Sequence, residues 1–202
     1  MNSKCAEQVV SKAVPFAKGK HGTVYFSWYD GREVVIKIQH HAQARSLVAK
    51  EWLFNKKAWE NNLGPEPLYK DSTCMIRSFV EGVALQDFMR CPTTRGQRYN
   101  VLKQILCDCR ALESAGVYKP ELTHPTKDIL IQSDLQPVFI DFERCRFQDD
   151  PNNVTQFVQY ITRFIPSSPE PIYERGKKYA SEKSDATFTA LCDAALSTFD
   201  RG

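Results

Sequence analysis

Tyr29-Asp30-Gly31-Arg32 lies between two runs rich in β-branched and aromatic residues, Tyr25 to Trp28 and Glu33 to Ile38. Asp-Gly supplies two adjacent residues tolerant of positive φ, which the tight turns that match strand twist require. The segment therefore predicts an antiparallel hairpin, and the chain around it must supply the rest of a sheet. Upstream, Pro15-Phe16-Ala17-Lys18-Gly19-Lys20-His21-Gly22-Thr23-Val24-Tyr25-Phe26 forms a second hairpin-like segment with two glycines in its loop. Downstream, Pro67 to Tyr69 and Thr73 to Val80 read as two more strands. From about Ala44 to Asn62 the sequence suits a helix, with Leu47, Glu51, Phe54 and Ala58 on one stripe. Its end is expected at Leu63-Gly64-Pro65, a glycine stop followed by proline. The first part of the chain is thus a small antiparallel sheet with one helix packed on it.

Helical spacing dominates the remainder. Leu85 to Met89 begins a short helical segment, and Cys91 to Gly96 is polar. A core helix from about Gln97 to Ala115 carries Leu102, Ile105, Leu106, Cys109 and Leu112 on one face. Ile129-Leu130-Ile131 and Gln136-Pro137-Val138-Phe139-Ile140 then form a second hairpin through Ser133-Asp134-Leu135, and it ends abruptly on Asp141-Phe142-Glu143. A helix opening at Asp150-Pro151-Asn152 is expected to bury Val154, Phe157, Val158, Ile161 and Phe164. Ile165 to Pro169 interrupts it, and a last helix from about Ser184 to Thr198 carries Phe188, Leu191, Cys192, Ala195 and Leu196.

Composition excludes several classes. At 202 residues, 42% apolar and 25% charged, the chain is expected to be one soluble domain with two lobes. The formal charge of +3 is too small to argue for nucleic acid by itself. No apolar run approaches a membrane span, and Met1 to Val14 lacks the apolar centre of a signal peptide, so no membrane association is expected. The seven cysteines are odd in number and contain no C-x-x-C. Reduced thiols in the cytoplasm or nucleus fit that pattern better than a disulfide frame or a zinc site.

Four features bear on chemistry. The glycine pair Gly19 and Gly22 either lets backbone amides face phosphate or is an ordinary turn. Lys37 ends the strand Val34-Val35-Ile36, so its ammonium either needs an anionic partner near the core or lies in solvent at a sheet edge. Glu51 is the only charge in its helical stripe and is expected to face the strand bearing Lys37. Asp141 either starts a turn or places a carboxylate at the rim of a core where a site opens. Glycine loop, strand lysine, helix glutamate and post-hairpin aspartate stand in the order that ATP-dependent phosphoryl transfer uses in protein-kinase folds.

From about Pro15 to Arg146 the sequence resembles minimal members of the protein-kinase-like superfamily: RIO-type kinases, the small kinase of the KEOPS complex, and archaeal-type serine/threonine kinases. Gly19-Lys20-His21-Gly22-Thr23-Val24-Tyr25 is similar to the glycine-rich loop, Val34-Val35-Ile36-Lys37 to the lysine strand, and Ile76 to Gly82 to the hinge. Glu121-Leu122-Thr123-His124-Pro125-Thr126-Lys127-Asp128-Ile129-Leu130-Ile131 resembles the catalytic loop. Asp141-Phe142-Glu143 stands where Asp-Phe-Gly is usual.

The resemblance implies an α+β, two-lobed kinase-like fold over residues 1–202. It would have a small antiparallel-sheet lobe with one helix (about 1–80), a hinge (about 77–84) and a truncated, mainly helical lobe (about 85–202). It implies an ATP- and magnesium-dependent phosphotransferase, a serine/threonine-type kinase or a self-phosphorylating kinase or ATPase, acting on or with a protein partner. Nucleotide contacts would come from Gly19, Gly22, Val24, Lys37, Glu51, Phe79 and Glu81. Glu121, Lys127 and Asp141 would be catalytic, and Asp128 and Asp141 metal-binding. Several positions depart from the usual pattern: Ala17 replaces a glycine, Glu121 replaces the aspartate base, and the loop before Asp128 is about two residues longer. These departures motivate a second expectation, a non-catalytic scaffold of pseudokinase type. About 60 residues follow Asp141 without an Ala-Pro-Glu segment, so no peptide-docking groove is expected. The basic pairs His40-His41, Lys56-Lys57 and Lys177-Lys178 motivate a third, RNA or ribonucleoprotein binding.

Overall fold

Asp30 and Gly31 adopt φ of +50° and +72°, the left-handed pair that the hairpin turn demands. They join β2 (Gly22–Tyr29) to β3 (Arg32–Gln39), which pair in register from Tyr29 opposite Arg32 to Gly22 opposite Gln39. The computed structural model describes Val9 and residues 12–18, 22–39, 44–164 and 170–200. Gly19 and His40-His41 lie outside those residues, as does the interruption from Ile165 to Pro169. The fold is α+β, with a five-stranded antiparallel sheet and six α-helices whose bounds lie among the described residues. The chain divides into two compact units, Met1–Glu81 with Phe139–Cys145, and Gly82–Val138 with Arg146–Gly202.

The first unit holds the sheet, in the order β1-β2-β3-β5-β4, where β1 is Val14–Lys18, β4 is Pro67–Lys70 and β5 is Cys74–Ser78. Strand alternation sorts the residues by face. Val34, Ile36, Cys74 and Ile76 form a buried cluster on one side with Val9, Tyr25, Tyr29 and Leu68. Val35 and Lys37 point the other way, towards helix α1 (Ala44–Glu60), which buries Val48, Glu51, Phe54 and Ala58. The helix does not stop on Gly64. Asn62 takes the left-handed turn, with φ +59°, and the Leu63 N–H returns to the Ala58 carbonyl at 2.9 Å. Asn tolerates that conformation through its short polar side chain. Gly64 is small for another reason: a Cβ there would lie 3.1 Å from Ala58 Cβ and 3.2 Å from the Phe142 ring.

The second unit is built on α3 (Arg95–Ser114), preceded by the short α2 (Leu85–Arg90). Thr94 and Gln97 close a capping box at the start of α3, each side chain bonding the other's backbone. A three-stranded sheet, β6-β8-β9, is made of Val83–Ala84, Ile129–Ile131 and Pro137–Phe139. A two-stranded ribbon pairs β7 (Val117–Tyr118) with β10 (Arg146–Phe147). The helices α4 (Asn153–Ile161), α5 (Glu170–Glu182) and α6 (Asp185–Asp200) complete it. Phe164, expected in the buried face of α4, is exposed, because the chain tightens to a 3₁₀ turn at Thr162–Phe164 and carries the ring off the stripe. Helix α5 has no counterpart in the sequence reading. It buries only Ile172 and Tyr179, too few residues to form a visible stripe.

Glu113 ties these helices together. Its carboxylate accepts from the Val154 N–H at 2.8 Å, the Tyr179 hydroxyl at 2.6 Å and the Lys183 ammonium at 3.1 Å. Asp108, on the same helix, is less well served. It is 7% exposed and accepts one side-chain hydrogen bond, from Gln104 at 2.8 Å. Burial pushes its carboxyl from 3.8 up to about 6. A carboxyl raised in the folded state favours folding when protonated, and that advantage is lost as pH rises towards 6. Asp108→Asn is therefore expected to raise stability at pH 7 by on the order of 2 kcal/mol, with the gain vanishing near about pH 4. Denaturant unfolding at the two pH values measures this, and an equal gain at both would contradict it.

Candidate functional site around Lys37

Lys37 sits on β3 opposite Val24 of β2 and Met75 of β5, and Val35 lies between Phe26 and Arg77 in the next row of the same face. The lysine stem is therefore covered by sheet and helix, and its ammonium must find anions. Glu51 reaches down from α1, with its two carboxylate oxygens at 2.8 and 3.0 Å from Lys37 Nζ. Asp141 Oδ1 lies at 3.3 Å and Glu143 Oε2 at 2.9 Å. One ammonium thus gathers three carboxylates from two distant parts of the chain.

The residues after β9 are held so that this happens. The Phe139 N–H donates to the Leu63 carbonyl at 2.9 Å, just past the end of α1. The Phe142 ring is buried against the gap that Gly64 leaves. Between these anchors Asp141 adopts φ +58°, a left-handed conformation that costs a non-glycine residue on the order of 1 kcal/mol. Glu143 is also held by Gln39, whose Nε2 donates to Oε2 at 3.4 Å.

The electrostatics follow from the count of charges. Burial alone would lower the Lys37 pKa, but the charges of Glu51 and Asp141 and hydrogen bonds to Glu51 and Glu143 outweigh it and hold it above the ordinary lysine value. Glu51 moves up because burial disfavours its charge and Asp141 and Glu143 add repulsion, against the attraction of Lys37. Arg77, on the same face, is lowered by burial and supported by Glu51 and Asp141. Among the described residues, three carboxylates thus gather at Lys37, with Arg77 on the same face. Carboxylate oxygens of Glu51, Asp141 and Glu143 lie within 4.8 Å of one another, hard-oxygen donors of the type divalent cations accept.

The other expected residues divide clearly. Val24 is the cross-strand neighbour of Lys37. Phe79 packs edge-on against Phe26 at 5.3 Å and Phe16 at 6.4 Å between ring centres. An apolar strip therefore flanks the ammonium. Gly22 has a packing reason of its own: a Cβ there would lie 2.2 Å from the Ile38 carbonyl oxygen. Glu81 is exposed at the point where the chain leaves the first unit.

In the second unit, Glu121 lies on a 3₁₀ turn (Pro120–Thr123), and Asp128 precedes β8. Their carboxylates stand 3.9 and 4.0 Å from Nζ of Lys119, whose side chain is completely buried. The Lys119 N–H is held by Asn153 Oδ1 at 2.9 Å. Sequence reasoning passed over Lys119, although its place two residues before Glu121 was a usable signal. Lys127 and His124 are exposed, and His124 Nε2 accepts from Arg163 Nη2 at 2.7 Å. The basic pairs give little support to an RNA surface: Lys56 faces Glu60 at 3.8 Å, Lys177 faces Glu174 at 2.7 Å and Lys178 faces Glu182 at 4.0 Å. No protein-family model and no curated protein matches the chain.

Lys37→Met would leave three carboxylates without their shared ammonium. A loss of about 3 kcal/mol is expected at neutral pH, as for other broken buried pairs. Because the raised Lys37 pKa keeps the wild-type contribution complete until pH exceeds the ordinary lysine range, the wild type should change little between about pH 5 and 7 from this source. The variant should regain part of its loss near pH 5 as carboxylates take up protons. Thermal unfolding at both pH values tests the coupling, and an identical loss at each would refute it.

Proposed function

We propose that this chain is an ATP- and magnesium-dependent phosphotransferase with a minimal protein-kinase-like fold. The observation that carries the reading is the convergence of Glu51 and Asp141 on the Lys37 ammonium, with Asp141 held in a left-handed backbone to reach it. Backbone strain of this kind is kept where a side chain must be aimed. In this reading Lys37 neutralises nucleotide phosphate, and Glu51 orients Lys37 from α1. Val24, Phe26 and Phe79 offer an apolar strip on which a base can lie. Asp141, with its neighbouring carboxylates, would hold magnesium, which when bound supplies charge neutralisation to the transferring phosphoryl group. Glu121, fixed beside Lys119, accepts the proton of an acceptor hydroxyl. Lys127, exposed in the same loop, is free to face an anionic substrate.

A second reading, a non-catalytic nucleotide- or protein-binding scaffold, draws on two observations. Gly22 is explained by strand packing alone, and Glu143 occupies part of the Lys37 ammonium. Release of phosphate from labelled ATP that falls in Glu121→Gln favours catalysis. Magnesium-dependent nucleotide binding with no turnover at all favours the scaffold.

The decisive first experiment is a thermal-shift titration with ATP, alone and with magnesium. A ligand that binds only the folded chain adds about 2.7 kcal/mol at a hundredfold excess over Kd, which is a shift of several degrees for a domain of this size. The shift should require magnesium and should disappear in Lys37→Ala and Asp141→Ala. Wild-type affinity in both variants would remove the assignment of those residues.

A further inference from the structure

We propose that Glu143 is a built-in competitor for nucleotide phosphate, occupying the Lys37 ammonium until a ligand displaces it. The inference rests on the phosphotransferase reading, because it takes phosphate to be the ligand of Lys37. An ammonium has three hydrogens to donate, and here Glu51, Asp141 and Glu143 stand at 2.8, 3.3 and 2.9 Å from it. Any phosphate oxygen that binds Lys37 directly must take the place of one of them.

The three are not equally replaceable. Glu51 is buried on a regular helix and presents both oxygens to Lys37. Asp141 is aimed by a left-handed backbone clamped between Phe139 and Phe142. Glu143 comes from an irregular segment, and its second donor is one long hydrogen bond from the Gln39 amide, 3.4 Å. Asp141 has the longer contact but a fixed backbone, whereas Glu143 reaches the lysine at 2.9 Å from a turn, so its side chain is the one that can swing away. Charge points the same way. With three carboxylates already gathered at Lys37, a metal-free polyanion meets their repulsion until one of them leaves. Glu143 thereby sets the affinity threshold of the site and its discrimination between metal-free and metal-bound nucleotide.

Calorimetric titration of ATP in EDTA into the full chain tests this, with Glu143→Gln and Glu143→Asp as variants. Glutamine removes the charge, whereas aspartate keeps it but is one methylene too short to hold the same contact. Both variants should bind metal-free ATP about tenfold or more tightly than the wild type, the change produced by one lost competing ion contact. Equal affinity in all three proteins overturns the proposal. Tightening in Glu143→Gln alone also overturns it, because general repulsion rather than contact would then be the cause. Both variants binding where the wild type does not upholds it. If no protein binds ATP with or without magnesium, the phosphotransferase reading falls first and the competitor with it. Should Glu143→Gln fail to fold, the aspartate variant decides the question.

Discussion

An ammonium taken out of water must be met by anions, and the first unit is arranged around that requirement. Lys37 projects from the middle strand of five, where sheet and helix cover its stem. Its position dictates which face of α1 must carry a carboxylate, and it accounts for why the segment after β9 is folded back against α1 at Leu63 and Gly64. Deleting the apolar packing of that segment would free Asp141 and Glu143, and the ammonium would keep only Glu51. Packing and electrostatics here are one device: Phe139 and Phe142 supply position, and the charges use it.

The helix partner of Lys37 was legible in the sequence because a single charge in an apolar stripe can face only one way. The hairpin at Asp30-Gly31 was legible because few residue pairs accept two positive φ values in succession. Asp141 was visible only as an alternative, since a carboxylate at a strand end is compatible with a plain turn. Its left-handed conformation leaves no mark on composition or spacing. The role of Asn62 as helix terminator was hidden behind Gly64, a residue whose smallness answers to the Phe142 ring. Gly22 shows the same ambiguity, for its Cβ would collide with β3 whatever the loop beside it does. Glycines signal steric need reliably, but whether the need is a turn, a ligand or a neighbouring backbone depends on coordinates.

Buried charge in the second unit was harder to see, and for a physical reason. Glu113 falls within an apolar helix face, but its partner Tyr179 lies on an element that otherwise buries only Ile172, and Lys183 lies just past that element's end. Lys119 has no periodic setting at all, standing between a two-residue strand and a 3₁₀ turn. Periodicity reveals residues that are buried because their element is amphipathic. It is silent about residues buried because the chain around them is held by side-chain-to-backbone bonds, as Asn153 holds Lys119.

The charge cluster at Lys37 is a poor way to stabilise a sheet. Replacing a buried ion pair with apolar side chains of the same volume is often neutral or stabilising, and the Lys37 cluster adds mutual repulsion of its carboxylates and a left-handed aspartate to that cost. Val35, Met75 and Phe54 show that this same region accommodates ordinary apolar packing. Stability therefore does not explain why Lys37, Arg77, Glu51, Asp141 and Glu143 are assembled there. The three carboxylates are held in place by packed aromatic rings, and the cluster opens on the side of Asp141, which is 56% exposed. That mismatch between what the cluster costs and what a sheet needs is the physical ground for reading it as a site.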